Sequence, residues 1–148
     1  MNITSAELAG LRHRQTRSEQ PRWQPGAPLV LCLRGNLENP LNATWGWRRR
    51  RSWATRWKER VFSALLEAGY RRGQIEPATP KLVVLEARLW NLMDSADNLR
   101  ASLKPVVDAL VEAGVLDGDA DRCGHRFDYR QRIARRDRGL TLTIQDSP

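Results

Sequence analysis

Acidic residues flank one amphipathic segment in the second half of this 148-residue chain. Asp94 and Asp97 come at its start, and Asp117 and Asp119 follow its end. Lys104 lies between them, about two turns or ~10 Å further along a helix axis than Asp97. Carboxylates hold hard divalent cations such as Mg²⁺, and an ammonium group beside them can bind a phosphate. The pattern therefore points to metal-dependent chemistry on a phosphodiester.

An ordinary structural role would explain the same residue types. Asp94 is a good N-cap, and Asp97 at the third helical position would favour the helix dipole. The sequence Asp117-Gly118-Asp119 is common in turns. Spacing alone leaves both interpretations open.

The net charge of +8 is distributed unevenly along the chain. Residues 1–60 carry 12 basic and 4 acidic side chains. Residues 94–121 carry 2 basic and 7 acidic side chains, and residues 122–138 carry 7 basic and 2 acidic ones. An acidic centre between two basic segments suits a protein that holds cations on carboxylates and a nucleic-acid backbone on the surrounding basic groups. Of the basic side chains 22 are Arg, which suits phosphate binding, although a GC-rich genome produces the same excess.

Hydrophobic periodicity predicts the elements that position these residues. The predicted order is β-α-β-α-β-β, an α+β fold with a small mixed β-sheet of about four strands and two main helices. The predicted segments are a strand over 29–33, a helix over 52–68 with Ser52 as its N-cap, a strand over 81–93, a helix from about 96 to 113, and a final hairpin with strands near 125–133 and 140–144.

Tryptophan and arginine residues alternate around the start of the first predicted helix. Trp45 and Trp47 are expected in a loop and are followed by four arginines, namely Arg48, Arg49, Arg50 and Arg51. Indoles stack on exposed bases and guanidinium groups bind phosphates, so all of these are candidate DNA contacts. Trp53 and Trp57 have instead the spacing of core or dimer-interface residues.

A second candidate DNA track lies in the last predicted hairpin. Arg126, Arg130 and Arg132 share one face of its first strand. The alternative is that this face is simply solvated, as the outer face of an antiparallel pair often is.

Residues 1–27 are predicted to form a weakly ordered extension, because residues 15–27 are polar and contain two prolines. Residues 28–148 are predicted to form one domain. The longest apolar run, 29–33, is far too short to span a bilayer, so no membrane partner is expected. Two widely spaced cysteines and no recognisable secretory signal favour a cytoplasmic protein with reduced thiols.

The acidic segment resembles the RusA family of Holliday junction resolvases. The residues that carry the resemblance are Asp97-Asn98-Leu99, Ser102-Leu103-Lys104-Pro105, Asp108-Ala109-Leu110, Ala113-Gly114-Val115 and Asp117-Gly118-Asp119. They follow the family's order of D-x-D-N-L, a helix with a lysine, D-x-L, A-G and a D-D step. The resemblance covers residues 94–121 and implies that 28–148 form a RusA-like nuclease domain.

The resemblance implies a small homodimer that binds four-way or other branched DNA and cuts it with Mg²⁺, for which Mn²⁺ could substitute. It transfers metal binding and catalysis to Asp97 and Asp119, and the catalytic lysine to Lys104. In such a site the cation polarises the scissile phosphate, and the lysine stabilises the negative charge of the transition state. The family further implies a phage or prophage product that acts in recombination and repair in a bacterial cell.

Two positions depart from the family pattern. Ser95 replaces the first acid of D-x-D, which makes Asp94 the candidate substitute as metal ligand and catalytic residue. Gly118 replaces the first acid of the D-D step, which leaves Asp117, a further candidate metal ligand, and the nearby Asp121 as its stand-ins. A hydroxyl does not supply the charge of a carboxylate. The alternatives are therefore a degenerate RusA-like protein that binds branched DNA without cutting it, and a basic structural or packaging protein.

Overall fold

The structure, a computed structural model, describes residues 22–41 and 44–148. Its elements in chain order are β1 (Leu29–Arg34), α1 (Trp47–Ala68), β2 (Lys81–Leu89), α2 (Ala96–Glu112), a 3₁₀ turn (Asp121–Cys123), β3 (Arg126–Ile133) and β4 (Gly139–Asp146). The predicted order β-α-β-α-β-β and the α+β class are confirmed.

The four strands form one mixed sheet in the order β1-β4-β2-β3. β4 pairs antiparallel with both β1 and β2, whereas β2 and β3 run parallel, with Leu85 opposite Tyr129. A parallel pair needs a crossover connection. Here α2 provides that crossover between β2 and β3, and this places α2 beside the edge strand β3.

Both helices pack on one face of the sheet. Alternate residues of the strands point into this layer and are buried, namely Leu29, Leu31, Leu33, Val83, Leu85, Ala87, Leu140, Leu142 and Ile144. Trp57, Val61 and Leu65 of α1, and Leu103, Val106 and Leu110 of α2, fill the opposite side of the core. The leucines of α2 (Leu99, Leu103 and Leu110) are therefore buried, and the polar face of the helix is left toward solvent.

The predicted final hairpin is wrong, because β2 lies between β3 and β4. The connection from Ile133 to Gly139 crosses the end of β2. It is held there by the Ala134 N–H, which donates to the Leu89 carbonyl at 2.8 Å, and by Arg88 Nε, which donates to the Asp137 carbonyl at 2.9 Å. Alternation along a strand predicts which face is buried but not which strand is the neighbour. β3 carries exposed arginines and suits an edge, whereas the buried leucines of β4 suit the centre of the sheet.

Two predicted boundaries also need correction. α1 begins at Trp47 and not after Ser52, because Gly46 takes the extended N-cap conformation. Trp47 and the arginine run after it are therefore helical and not part of a loop. β2 ends at Leu89, four residues before the predicted end at Met93.

Residues 1–21 of the predicted N-terminal extension lie outside the described residues. The residues that follow them contact the domain, since the Trp23 N–H donates to the Ala68 carbonyl at 2.9 Å and the Trp23 ring packs edge-on against Tyr70. In the described ranges, neither helix has the length and apolar character that crossing a membrane requires.

Candidate functional site

An open cleft of about 380 Å³ lies between α2 and β3. Arg100 and Lys104 line it from the helix, Tyr129 from the strand, and Asp119 from the loop that follows α2. Lys104 Nζ donates to Asp108 Oδ1 at 2.6 Å and to Asp119 Oδ2 at 2.5 Å. The structure thus brings together two of the predicted catalytic residues, Lys104 and Asp119.

The ion pairs at Lys104 change the acidity of both partners. Partial burial acts to lower the pKa of Lys104, but the hydrogen bonds from its ammonium group to Asp108 and Asp119 outweigh this and raise the pKa. The hydrogen bond from Lys104 in turn lowers the pKa of Asp119 below its ordinary value. Both side chains therefore carry full charge over the whole neutral range, and both are about half exposed, so a substrate can reach them.

Asp117 has a different environment, although it is only two residues from Asp119. His125 is buried, and its Nδ1 accepts the backbone N–H of Lys81 at 3.1 Å. The ring proton is therefore on Nε2, which donates to Asp117 Oδ1 at 2.6 Å. This hydrogen bond lowers the pKa of Asp117. Asp117 thus joins the acidic loop to the start of β2.

The acids at the start of α2 stand apart from this network. Ser95, and not Asp94, is the N-cap of α2, since its Oγ accepts the Asn98 backbone N–H at 3.2 Å. Asp97 is the second residue of the helix, not the third, and it lies on the same polar face as Lys104 about two turns away. The carboxylates of Asp94 and Asp97 are exposed and form no ion pair with any described residue.

The four predicted metal ligands do not form one cluster in the part of the chain that the structure describes. Over residues 22–41 and 44–148, no three side chains of His, Cys, Asp or Glu lie close enough together to hold an ion as a group. Asp119 faces Lys104 and Asp117 faces His125, while Asp94 and Asp97 are open to solvent.

Sequence reasoning missed three side chains of the cleft. The Arg100 guanidinium lies 5.4 Å from the centre of the Tyr129 ring, and burial raises the pKa of Tyr129. His125 completes the lining beside Asp119. The sequence did indicate these positions. Arg100 precedes Lys104 by one helical turn and so lies on the same helix face, and His125, just before β3, falls on the same side of the strand pattern as Tyr129. Only the parallel β2–β3 pairing shows that these two face α2.

The arginine run forms the exposed start of α1. Arg48, Arg49, Arg50 and Arg51 lie in its first turns and form no ion pair with any described residue. The first turn holds no acidic side chain, and Gly46 provides no side-chain cap. Cations at the positive end of a helix dipole are unfavourable, and an anion bound there relieves this.

The tryptophans around this helix start divide into buried and exposed residues. Trp53 and Trp57 are core residues. Trp45 is half-buried and packs edge-on against Trp53, with Arg49 over its ring at 4.5 Å. Trp47 is 66% exposed, which makes it the most accessible aromatic side chain of this surface.

Most of the arginines on β3 are compensated by neighbouring acids. Arg130 pairs with Asp128 at 2.5 Å, and Arg132 pairs with Glu86 at 3.0 Å. Arg126 is exposed and makes no such pair with a described residue. As a candidate phosphate track, this face therefore offers less uncompensated charge than the start of α1.

Comparison with known proteins gives no family for this chain. No model of a protein family matches it, and no curated protein matches it.

Proposed function

We propose that this protein is a Mg²⁺-dependent, structure-selective endonuclease that resolves Holliday junctions or other branched DNA. The observation that carries the proposal is the pairing of Lys104 with Asp119 in an open cleft. In a cleft that a DNA backbone can reach, such a lysine would bind the phosphate and the carboxylate would bind the cation. The resemblance of residues 94–121 to the RusA family supports the same activity.

The cleft itself offers the implied cation one of the four predicted ligands, Asp119, and a second carboxylate, Asp121. Mg²⁺ in phosphoryl-transfer sites is commonly held by one or two carboxylates together with substrate phosphates and water. Asp119 would hold it directly, and Asp97, about two turns from Lys104 on the same face of α2, would take part only through bound water. Asp94 lies outside the cleft and Asp117 is hydrogen-bonded to His125, so neither of these predicted ligands is placed to join them. When bound, the cation would polarise the scissile phosphate and lower the pKa of a bound water.

The residues of the cleft itself would act on the phosphate. Lys104 is held by Asp108 as well as Asp119, so it keeps one carboxylate partner when a phosphate replaces the other. Its ammonium group would then stabilise the additional negative charge of the transition state. Arg100 lies on the same helix face one turn earlier and would bind a neighbouring phosphate.

The wider DNA surface in this proposal is the start of α1. Its unpaired arginines and Trp47 would bind the backbone and exposed bases of a junction arm. Symmetric cleavage of a four-way junction needs two sites, so the active form would be a homodimer. The place of action would be the cytoplasm of a bacterial cell, as a phage or prophage product.

One observation favours a second candidate, a protein that binds branched DNA without cutting it. Ser95 stands where the RusA family has its first acid, and its hydroxyl is committed to capping α2. Asp94 is exposed and has no partner among the described residues, so its carboxylate is not held toward the cleft.

Cleavage of a labelled four-way junction with Mg²⁺ tests the two candidates. We expect the parent protein to cut it, and Asp97→Asn, Asp119→Asn and Lys104→Met each to lower the rate by about 100-fold or more. Glu112→Gln is the matched control, because Glu112 is also an α2 carboxylate paired with a lysine, Lys58, but outside the cleft. Its rate should stay within about twofold of the parent.

The outcomes separate the candidates. Tight, junction-specific binding without cleavage by the parent would contradict the nuclease and support the second candidate. Equal affinity for a junction and a linear duplex would contradict both.

A further inference from the structure

A second concave surface lies at the end of the sheet where β2 stops. It is an open pocket of about 350 Å³, and its polar lining includes Asn36, Asn91 and Arg138 around the ring of Trp90. None of these residues belongs to the α2–β3 cleft. Small-molecule sites begin at roughly 300 Å³, so the pocket has room for one small planar group.

Trp90 is the aromatic wall of this pocket. Its side chain is 52% exposed, which is unusual for the largest apolar residue. The guanidinium groups of Arg135 and Arg138 lie 5.6 and 5.7 Å from the ring centre. An accessible indole flanked by guanidinium groups is a platform for a nucleobase, because bases stack on both types of group.

The polar groups of the pocket are available for hydrogen bonding. The amides of Asn36 and Asn91 form no hydrogen bond with a described residue, and an amide can pair with the donor–acceptor edge of a base. Arg88 is different, since it is buried and donates to the Asp137 carbonyl and to Thr141 Oγ1. Arg88 therefore belongs to the framework of the pocket, and the asparagines offer the unsatisfied groups.

The charge around the pocket favours a phosphate. The connection between β3 and β4 contains Arg135, Arg136 and Arg138 and a single acid, Asp137. The Asp137 carboxylate faces the buried Arg88 at 3.6 Å. The three exposed arginines therefore leave a net positive potential at the mouth of the pocket.

We infer that this pocket binds one unpaired nucleotide of a nucleic-acid strand, with its base against Trp90, its edge at Asn36 and Asn91, and its phosphate at Arg135 and Arg138. This site goes beyond the proposed nuclease activity. It uses neither Lys104 nor a divalent cation, and it gives the protein a preference for single-stranded segments.

Binding of a fluorescein-labelled 12-nucleotide oligo-dT and of a duplex of equal length, both in EDTA, tests the inference. We expect Trp90→Ala to weaken oligo-dT binding by roughly fivefold or more, because stacking of one base is lost. Duplex binding should change by less than twofold, and Trp90→Phe should keep most of the affinity. Arg138→Ala should weaken binding more than Arg71→Ala, which removes the same charge from an exposed arginine outside the pocket.

Tryptophan emission provides a second measurement that does not depend on the alanine variant folding. Oligo-dT should quench the emission of the parent more than that of Trp90→Phe. Equal quenching of the two proteins would overturn the inference, as would an equal loss of oligo-dT and duplex affinity in a folded Trp90→Ala. A change of oligomeric state in Trp90→Ala without a change in oligo-dT affinity would assign the patch to a protein contact instead.

The binding result can be separated from cleavage. A protein that cuts no junction but shows the Trp90-dependent preference for oligo-dT would contradict the proposed nuclease and still support nucleotide binding in this pocket.

Discussion

Asp117 and Asp119 have different hydrogen-bond partners, and this difference decides which of the two carboxylates is free to bind a new ligand. Asp117 is hydrogen-bonded to a buried ring, which is itself fixed by a backbone N–H of β2. A new ligand would have to break this chain of contacts. Asp119 faces the exposed Lys104, so it can exchange its partner for a cation at little cost. Of the two, Asp119 is the residue suited to reversible binding.

The Lys104–Asp119 pair predicts a pH dependence of stability. The folded-state pKa of Asp119 is below its ordinary value of 3.8, so its contribution is fully present above that value and is lost as the pH falls through the lowered one. We expect Asp119→Asn to lower the free energy of unfolding at pH 7 by about 0.2–1 kcal/mol, the range of exposed ion pairs. The difference should shrink toward pH 3.

Urea denaturation of both proteins at pH 7 and pH 3 measures this difference. Asp117 is present in both proteins, so its own titration cancels in the comparison. A difference that stays constant or grows on acidification would contradict the assignment.

At the scale of elements, periodicity predicted much of the fold but not its connections. The apolar stripe of α2 and the alternation of β2 and β4 are local patterns, and the structure has them. The neighbour of β3 is set by tertiary pairing, which alternation does not encode. The same limit applies to the site, because the contact of His125 with Lys81 joins residues 44 positions apart. The sequence could identify Lys104 and Asp119 as candidates, but only the β2–α2–β3 crossover places Tyr129 beside them.

The close approach of β1 and β4 predicts a sensitive glycine. A Cβ on Gly139 would lie 2.1 Å from the Leu33 carbonyl oxygen, and backbone cannot move aside as a flexible side chain does. We expect Gly139→Ala to destabilise the fold by roughly 1–3 kcal/mol. In the control Gly46→Ala, the new Cβ meets nothing within 4 Å.

Thermal or urea denaturation measures the loss of stability for Gly139→Ala and for Gly46→Ala. The expected loss for Gly46→Ala is less than about 1 kcal/mol, the size of an N-cap effect. A loss for Gly139→Ala no greater than that of this control would contradict so close an approach of the two strands.

At the scale of the whole molecule, the net charge of +8 is not equally available to a partner. The arginines at the start of α1 are uncompensated among the described residues, whereas Arg130 and Arg132 of β3 are neutralised locally. A second basic surface surrounds Trp90. The basic segments seen in the sequence therefore differ in how much charge they can offer a polyanion.

This difference predicts the salt dependence of DNA binding. Each phosphate contact contributes about 0.9 to the slope of log affinity against log salt concentration. Replacing Arg48, Arg49, Arg50 and Arg51 with Gln should reduce the slope for duplex DNA by up to roughly 3–4. Replacing Arg130 and Arg132 with Gln should reduce it by clearly less than two such contacts, since both are already paired.

Fluorescence-anisotropy titrations at several salt concentrations between about 50 and 200 mM measure both slopes, because the affinity of a protein with several phosphate contacts changes steeply over this range. A larger reduction for the β3 pair than for the α1 run would contradict this assignment of the DNA surface.

The central position of β4 has a consequence for how the molecule is made. β4 is the last strand in chain order, yet it fills the place between β1 and β2. A nascent chain that has not passed residue 139 leaves both of those strands with open edges, which are prone to wrong pairing. The sheet therefore closes only when residues 139–146 are available to pair, and we expect a chain that lacks them to leave the edges of β1 and β2 exposed.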